Sequence, residues 1–144
     1  VLKNATLNLP EGKMTFDAIL MDKRGVYLVR TYGWGIKIYG TPDGAMWRRE
    51  DAKRKEEFEN PLLELKKGAA EITKVMEENG VQNLKVMPMV VFADNFQTPE
   101  LYLGYGSFST TYQELKSWYK KQSGVKEVQY DYDKVSSIIK GLAK

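Results

Sequence analysis

The 144 residues include neither a histidine nor a cysteine, and this narrows the chemistry before anything else does. Without imidazole there is no histidine general base and no ordinary zinc site. Without thiols there is no disulfide and no thiolate metal site. What remains for metal chemistry is a hard ion, magnesium or manganese, held by carboxylates. A second set of interest is Tyr32, Trp34, Tyr39 and Trp47, spaced among Gly33, Gly35 and Gly40 with Lys37 between them. Rings beside a cation could stack on the bases of single-stranded nucleic acid. The same residues could also cover a sheet edge, fill a small core or form a partner-binding patch. A net charge of only +3 favours the structural role. A third feature is Arg48 to Glu59, with ten charged residues in twelve, five of each sign. Phosphate affinity requires a positive surplus, so this run reads as a solvated hairpin or loop laced with ion pairs rather than a nucleic-acid arm.

These groups must be held by elements that the hydrophobic pattern lays out. Ala5 to Leu9, Met14 to Met21, Val26 to Thr31 and Ile36 to Tyr39 read as strands, and Met46-Trp47 as a small extra one. Asp22-Lys23-Arg24-Gly25 is the turn between the second and third. Asn60 is a good N-cap and Pro61 suits the first helical position. Leu62, Leu65, Ala69, Ile72 and Met76 then recur at helical spacing until Gly80. Met87 to Phe92 reads as a buried strand whose pairing starts late because of Pro88. A loop around Asp94 to Pro99 precedes a short strand at Leu101 to Leu103. Thr111 and Glu114 form a capping box ahead of a helix with Leu115, Trp118 and Tyr119 on one face. A last helix starts near Asp131 and buries Val135, Ile138, Ile139 and Leu142.

This order predicts an α/β (α+β) domain with a central mixed sheet flanked by helices, a single domain over residues 1–144. No apolar run approaches the roughly 18 residues of a membrane span, so no membrane contact is expected from this segment. No secretory signal opens the chain, and a cytoplasmic location is expected. Because it starts at Val1, the chain reads as a piece of a longer protein.

The stretch Phe16-Asp17-Ala18-Ile19-Leu20, followed by Gly25-Val26-Tyr27-Leu28-Val29 and Ile38-Tyr39-Gly40, resembles the nuclease-related domain family, NERD. Trp47, then Asn60-Pro61-Leu62-Leu63, then Val90-Val91-Phe92 continue the likeness, which spans about Asn4 to Leu142. The resemblance implies the PD-(D/E)XK nuclease fold, a restriction-endonuclease-like core. In that family an aspartate on one strand and a glutamate on the next hold a divalent ion, and a lysine two residues later activates water. Asp17 matches the aspartate. Arg30 stands at the glutamate position and Tyr32 at the lysine position, so two of the three central groups are replaced. A cation at a ligand position repels a metal and offers Asp17 a partner across the hairpin.

The expected function is therefore a catalytically degenerate nuclease-related domain kept for binding or structural duty, with a vestigial site at Asp17, Arg30, Tyr32 and Glu64 and no metal cofactor. One alternative is a nuclease using magnesium or manganese at a migrated site of Asp17 and Glu64, with Lys37 or Lys67 as the cation. Glu64, however, lies about 100° from the centre of its helix's apolar face, where a surface glutamate is equally at home. Another is a nucleic-acid binder without chemistry that uses Arg30, Trp34, Lys37, Tyr39 and Trp47. Nucleic acid, another protein or another domain are the partners these readings allow.

Overall fold

A computed structural model describes residues 2–22, 24–94, 97–121 and 130–143. Val1, Lys23 of the expected turn, residues 95–96 of the expected loop and the side chain of Tyr119 lie outside the described residues. The elements in chain order are β1 (Leu2–Leu9), β2 (Gly12–Asp22), β3 (Gly25–Tyr32), β4 (Lys37–Tyr39), β5 (Met46–Glu50), β6 (Lys55–Glu59), α1 (Pro61–Glu78), β7 (Val86–Phe92), β8 (Glu100–Tyr102), β9 (Ser109–Thr111), α2 (Leu115–Lys121) and α3 (Tyr132–Leu142). They form a five-stranded sheet, β1-β2-β3-β7-β9, and a four-stranded sheet, β6-β5-β4-β8. Both are mixed, since antiparallel pairs join β1 to β2 and β4 to β5, while β7–β9 and β4–β8 run parallel. Mixed sheets with flanking helices make an α+β fold consistent with a nuclease-like core. No helix among the described residues is long and apolar enough to cross a membrane.

The chain divides into two compact units. The first comprises Val1–Val29, Leu65–Pro88 and Val125–Lys144. In β1, Ala5, Leu7 and Leu9 are buried and the residues between them exposed, the two-residue alternation of a strand with one covered face. β2 pairs with it from Leu2↔Ile19 to Leu9↔Gly12, and with β3 from Ala18↔Val29 to Asp22↔Gly25. In α1, Leu65, Ala69, Ile72 and Met76 point into the core, as their spacing predicts. Gly80 ends the helix at φ +84°, and the Val81 amide returns to the Met76 carbonyl at 2.8 Å. The Asp131 carboxylate caps α3 by accepting from the Lys134 amide. Val135 and Ile139 are buried, but Ile138 and Leu142, expected inside, are only half-buried. Ile138 sits about 60° off the Val135–Ile139 stripe, at 100° per residue, and Leu142 closes the helix at its open end. Tyr130, just ahead of α3, donates its hydroxyl proton to the Asp22 carbonyl at 2.6 Å, so the helix entry is tied to the β2–β3 turn.

The second unit comprises Arg30–Glu64 and Met89–Gly124. Its β5 is longer than the two residues the sequence suggests, and it turns back into β6 with Arg49↔Glu56 and Trp47↔Phe58 in register. The charge-rich run is thus a hairpin. At its tip the Asp51 carboxylate accepts from the Lys53 and Arg54 amides, both at 2.8 Å. Those amide bonds, led by the one from Lys53, hold the Asp51 pKa below its usual value. Ion pairs join Arg49 to Glu56 at 2.9 Å and Arg54 to Asp51 at 3.0 Å. β9 falls where the sequence suggests only a helix cap; Thr111 ends the strand, and its hydroxyl accepts from the Glu114 amide at 3.2 Å in the turn that precedes α2.

Candidate functional site

Asp17 lies on β2, half-buried, between buried Phe16 and half-buried Ala18. Arg30 follows the buried run Gly25 to Val29 on β3, and its guanidinium donates to a Glu64 carboxylate oxygen at 2.7 Å. The pair is partly open to solvent, at 22% and 45% side-chain exposure. Glu64 stands in the first turn of α1, where an acid suits the helix dipole. Tyr32 stacks on Phe92 with ring centres 5.4 Å apart and leans on Phe58 at 4.9 Å. The position where the family pattern has a lysine is thus filled by a ring that packs.

A divalent ion requires several oxygen ligands converging at about 2–2.6 Å. Among the described residues, no three of the types His, Cys, Asp and Glu come together in such a group. At the family's glutamate position stands a guanidinium that holds a carboxylate of its own. That guanidinium has no lone pair to offer a metal ion.

The aromatic set is engaged within its own unit. Trp47 is 1% exposed, meets Phe58 edge-on, and donates its indole N–H to the Thr41 carbonyl at 2.7 Å. Gly40 accommodates it, because a Cβ there would run into the indole ring. Trp34 has the guanidinium carbons of Arg49 and Arg54 over its ring, 4.3 and 4.2 Å from the centre. Tyr39 stacks on Tyr102 at 5.1 Å and carries Arg48 at 4.6 Å. Lys37 is exposed on β4, in register with Glu50. Arg49 also lies over Tyr32 and Phe58, with its side chain 15% exposed and its Nε buried without a hydrogen-bond partner among the described residues. The sequence held a signal for this inward arginine: alternate residues of a strand share a face, so Arg49 points with Trp47.

Asn60 has a role that the sequence does not reveal. Its side-chain oxygen caps α1 by accepting from the Leu62 amide at 2.9 Å. Its side-chain nitrogen donates to the carbonyls of Pro42 at 2.9 Å and Gly44 at 2.8 Å, with Thr41 at 3.4 Å. Trp47 and Asn60 therefore both hold the 41–44 loop through its carbonyls.

No curated protein and no solved structure matches the chain. The family model described as nuclease-related domain (NERD) matches residues 1–93, covering β1 to β7 with Asp17, Arg30, Tyr32, Trp47 and Asn60. The chain belongs to the nuclease-related domain family.

Proposed function

We propose that this nuclease-related domain no longer performs metal-dependent cleavage and serves a binding or structural role. The observation that carries the reading is Arg30, which stands at the pattern's glutamate position with its guanidinium 2.7 Å from the Glu64 carboxylate. A metal ligand must offer a lone pair, and guanidinium has none to give at any ordinary pH. Glu64, the acid that a migrated site would recruit, is neutralised by that cation. With Tyr32 packed on Phe92 and Phe58, the water-activating position carries a ring in place of the pattern's lysine. Metal-assisted hydrolysis depends on the ion to neutralise charge at the phosphate, and these side chains provide no cradle for it.

Supercoiled plasmid incubated with the folded domain and magnesium or manganese should stay intact, beside an Asp17→Ala control. Nicking by the parent that vanishes in Asp17→Ala would sink the proposal and point to a migrated site, with Glu64→Gln as the next test.

A further inference from the structure

The helix α3 does not lie flush on the sheet beneath it. Leu2 of the edge strand β1 pairs with Ile19 of β2, and Met21 comes two residues later, so these three side chains share one face. Val135 and Ile139 are the buried residues of α3. At about 100° per residue, Ser136 lies about 60° round the helix from Ile139 and Lys140 about 100°. One flank of the buried stripe therefore carries Ile138, and the other carries a hydroxyl and an ammonium group. Ser136 is too short to reach the strands, and a hollow of about 170 Å³ is left, lined by Leu2, Ile19, Met21, Ser136, Ile139 and Lys140. All six residues belong to the first unit.

Size and lining select the class of ligand. Protein interiors leave few voids larger than a water molecule. An apolar cavity of about 150 Å³ stays dry and admits benzene, so this hollow has room for an apolar group of about six carbons. Ordered water would need two to four polar partners, and four of the six lining side chains are apolar. Lys140 is exposed, and no ion pair among the described residues engages it. Ser136 is one turn before it, so hydroxyl and ammonium stand together at the rim. The nearest acid on that flank is Asp133, two turns from Lys140 and about 10 Å away along the axis. Asp22, beside Met21, accepts from the Arg24 amide at 2.7 Å, and neither it nor Asp17 lines the hollow. An apolar recess rimmed by a cation and a hydroxyl matches a carboxylate on a short apolar tail. The tail supplies the contacts the hollow lacks, and the carboxylate takes a charge-assisted hydrogen bond.

We propose that the hollow between α3 and strands β1 and β2 is a binding site for a small apolar monocarboxylate of about six carbons. Its tail lies against Ile19, Met21 and Ile139, and its carboxylate meets Lys140 Nζ and Ser136 Oγ. The site uses none of Arg30, Tyr32 and Glu64 and needs no divalent ion, so it stands or falls independently of the state of the nuclease centre.

The test is methyl-resolved NMR of the whole domain titrated with hexanoate at fixed pH and ionic strength. Saturable shifts are expected at the methyl groups of Ile19, Met21 and Ile139, with a Kd on the order of 1 mM for burying a tail of this length. Lys140→Gln should weaken hexanoate about 2- to 5-fold, as loss of a partly solvated ion pair does, and leave the neutral analogue 1-hexanol unchanged. Because Lys140 is exposed, this variant should fold as the parent does. Ser136→Leu should fill the hollow, abolish the hexanoate shifts and unfold at no lower denaturant concentration than the parent. The proposal is overturned if the folded parent shows no saturable methyl shifts, or if hexylammonium binds as tightly as hexanoate. It is equally overturned if Lys140→Gln weakens the alcohol as much as the acid, which would mean unspecific filling of an apolar gap. Binding that tightens about four-fold with each methylene added out to dodecanoate would also overturn it, assigning the surface to a long acyl chain.

Discussion

Asn60 offers the sharpest test of how this fold is held. The side chain is 2% exposed and performs two tasks with two different atoms. The oxygen caps α1, and removing such a cap costs about 1 kcal/mol within a range of about 0.5–2. The nitrogen serves the carbonyls of Pro42 and Gly44 at good distance and Thr41 at the limit. Each good bond is worth about 0.5–1.5 kcal/mol net, and more where a buried carbonyl is left without a donor. Asn60→Ala should therefore cost about 2–4 kcal/mol, a large part of the roughly 5–15 kcal/mol that holds a domain together. Asn60→Asp separates the two tasks, because it keeps the capping oxygen and turns an oxygen toward the carbonyls. Carbonyl oxygens and burial both disfavour the charged form, so the folded-state pKa of this aspartate should be raised above about 3.9. A carboxyl with raised folded pKa contributes its full stability below the unfolded value and loses it as pH rises through the folded one. Relative to the parent at each pH, Asn60→Asp should be close to neutral in acid and strongly destabilised at neutral pH. Urea unfolding followed by far-UV circular dichroism across pH 3–8 reads this directly. Equal, pH-independent costs for the two variants, or a cost below about 1 kcal/mol for Asn60→Ala, would refute the two-task reading.

Two further perturbations test other parts of the structure. The Arg30–Glu64 pair is partly solvated, so Arg30→Ala should cost at most about 1 kcal/mol in denaturant unfolding. Arg30→Glu instead sets two carboxylates together, and millimolar manganese should raise the thermal midpoint of this variant but not of the parent; a rise in the parent would undercut the degenerate reading. Tyr130→Phe removes the bond to the Asp22 carbonyl and should cost about 0.5–1.5 kcal/mol, measured by the same unfolding curves. Burial, with Tyr132 and Asp22 adding to it, pushes the Tyr130 hydroxyl well above its ordinary value of 10.0. Its stabilisation is thus complete below about pH 10 and fades as pH rises further. The parent should accordingly lose stability in strong alkali faster than Tyr130→Phe does.

Long periodic elements could be read from the sequence and short ones could not. α1 shows why: five apolar residues at helical spacing, an N-cap and a terminal glycine all point one way, and all five are buried. β9 has three residues, too few for a two-residue period to register, and it lies on a stretch whose Thr111 and Glu114 spelled a helix start. The hairpin of β5 and β6 was legible as a charged surface element, yet Arg49 was hidden by its company. In a run of ten charges nothing marks one arginine as inward except its two-residue offset from Trp47, and that offset matters only once β5 is known to run to Glu50. The double role of Asn60 was out of reach for a different reason. Its carbonyl partners lie 16 to 19 residues earlier, and a backbone oxygen leaves no trace in residue type.

The family pattern survives here in part, and several of the surviving positions other than Asp17 have structural partners. Gly40 gives room to the Trp47 indole, Trp47 and Asn60 hold the 41–44 loop, and Phe92 receives the ring of Tyr32. Each of these pattern positions has architectural work that does not depend on cleavage. The positions that depart from the pattern, Arg30 and Tyr32, are the ones whose family residues would be there for the ion and the water. Each replacement also has a local partner: Arg30 neutralises Glu64 at the start of α1, and half-buried Tyr32 packs on Phe58 and on buried Phe92. Restoring glutamate and lysine at these two positions would thus remove packing and an ion pair at once. A variant that regained metal binding should do so with a measurable loss of stability. A variant that gained both would mean that the two replacements have no structural role, and a retained scaffold would no longer account for them.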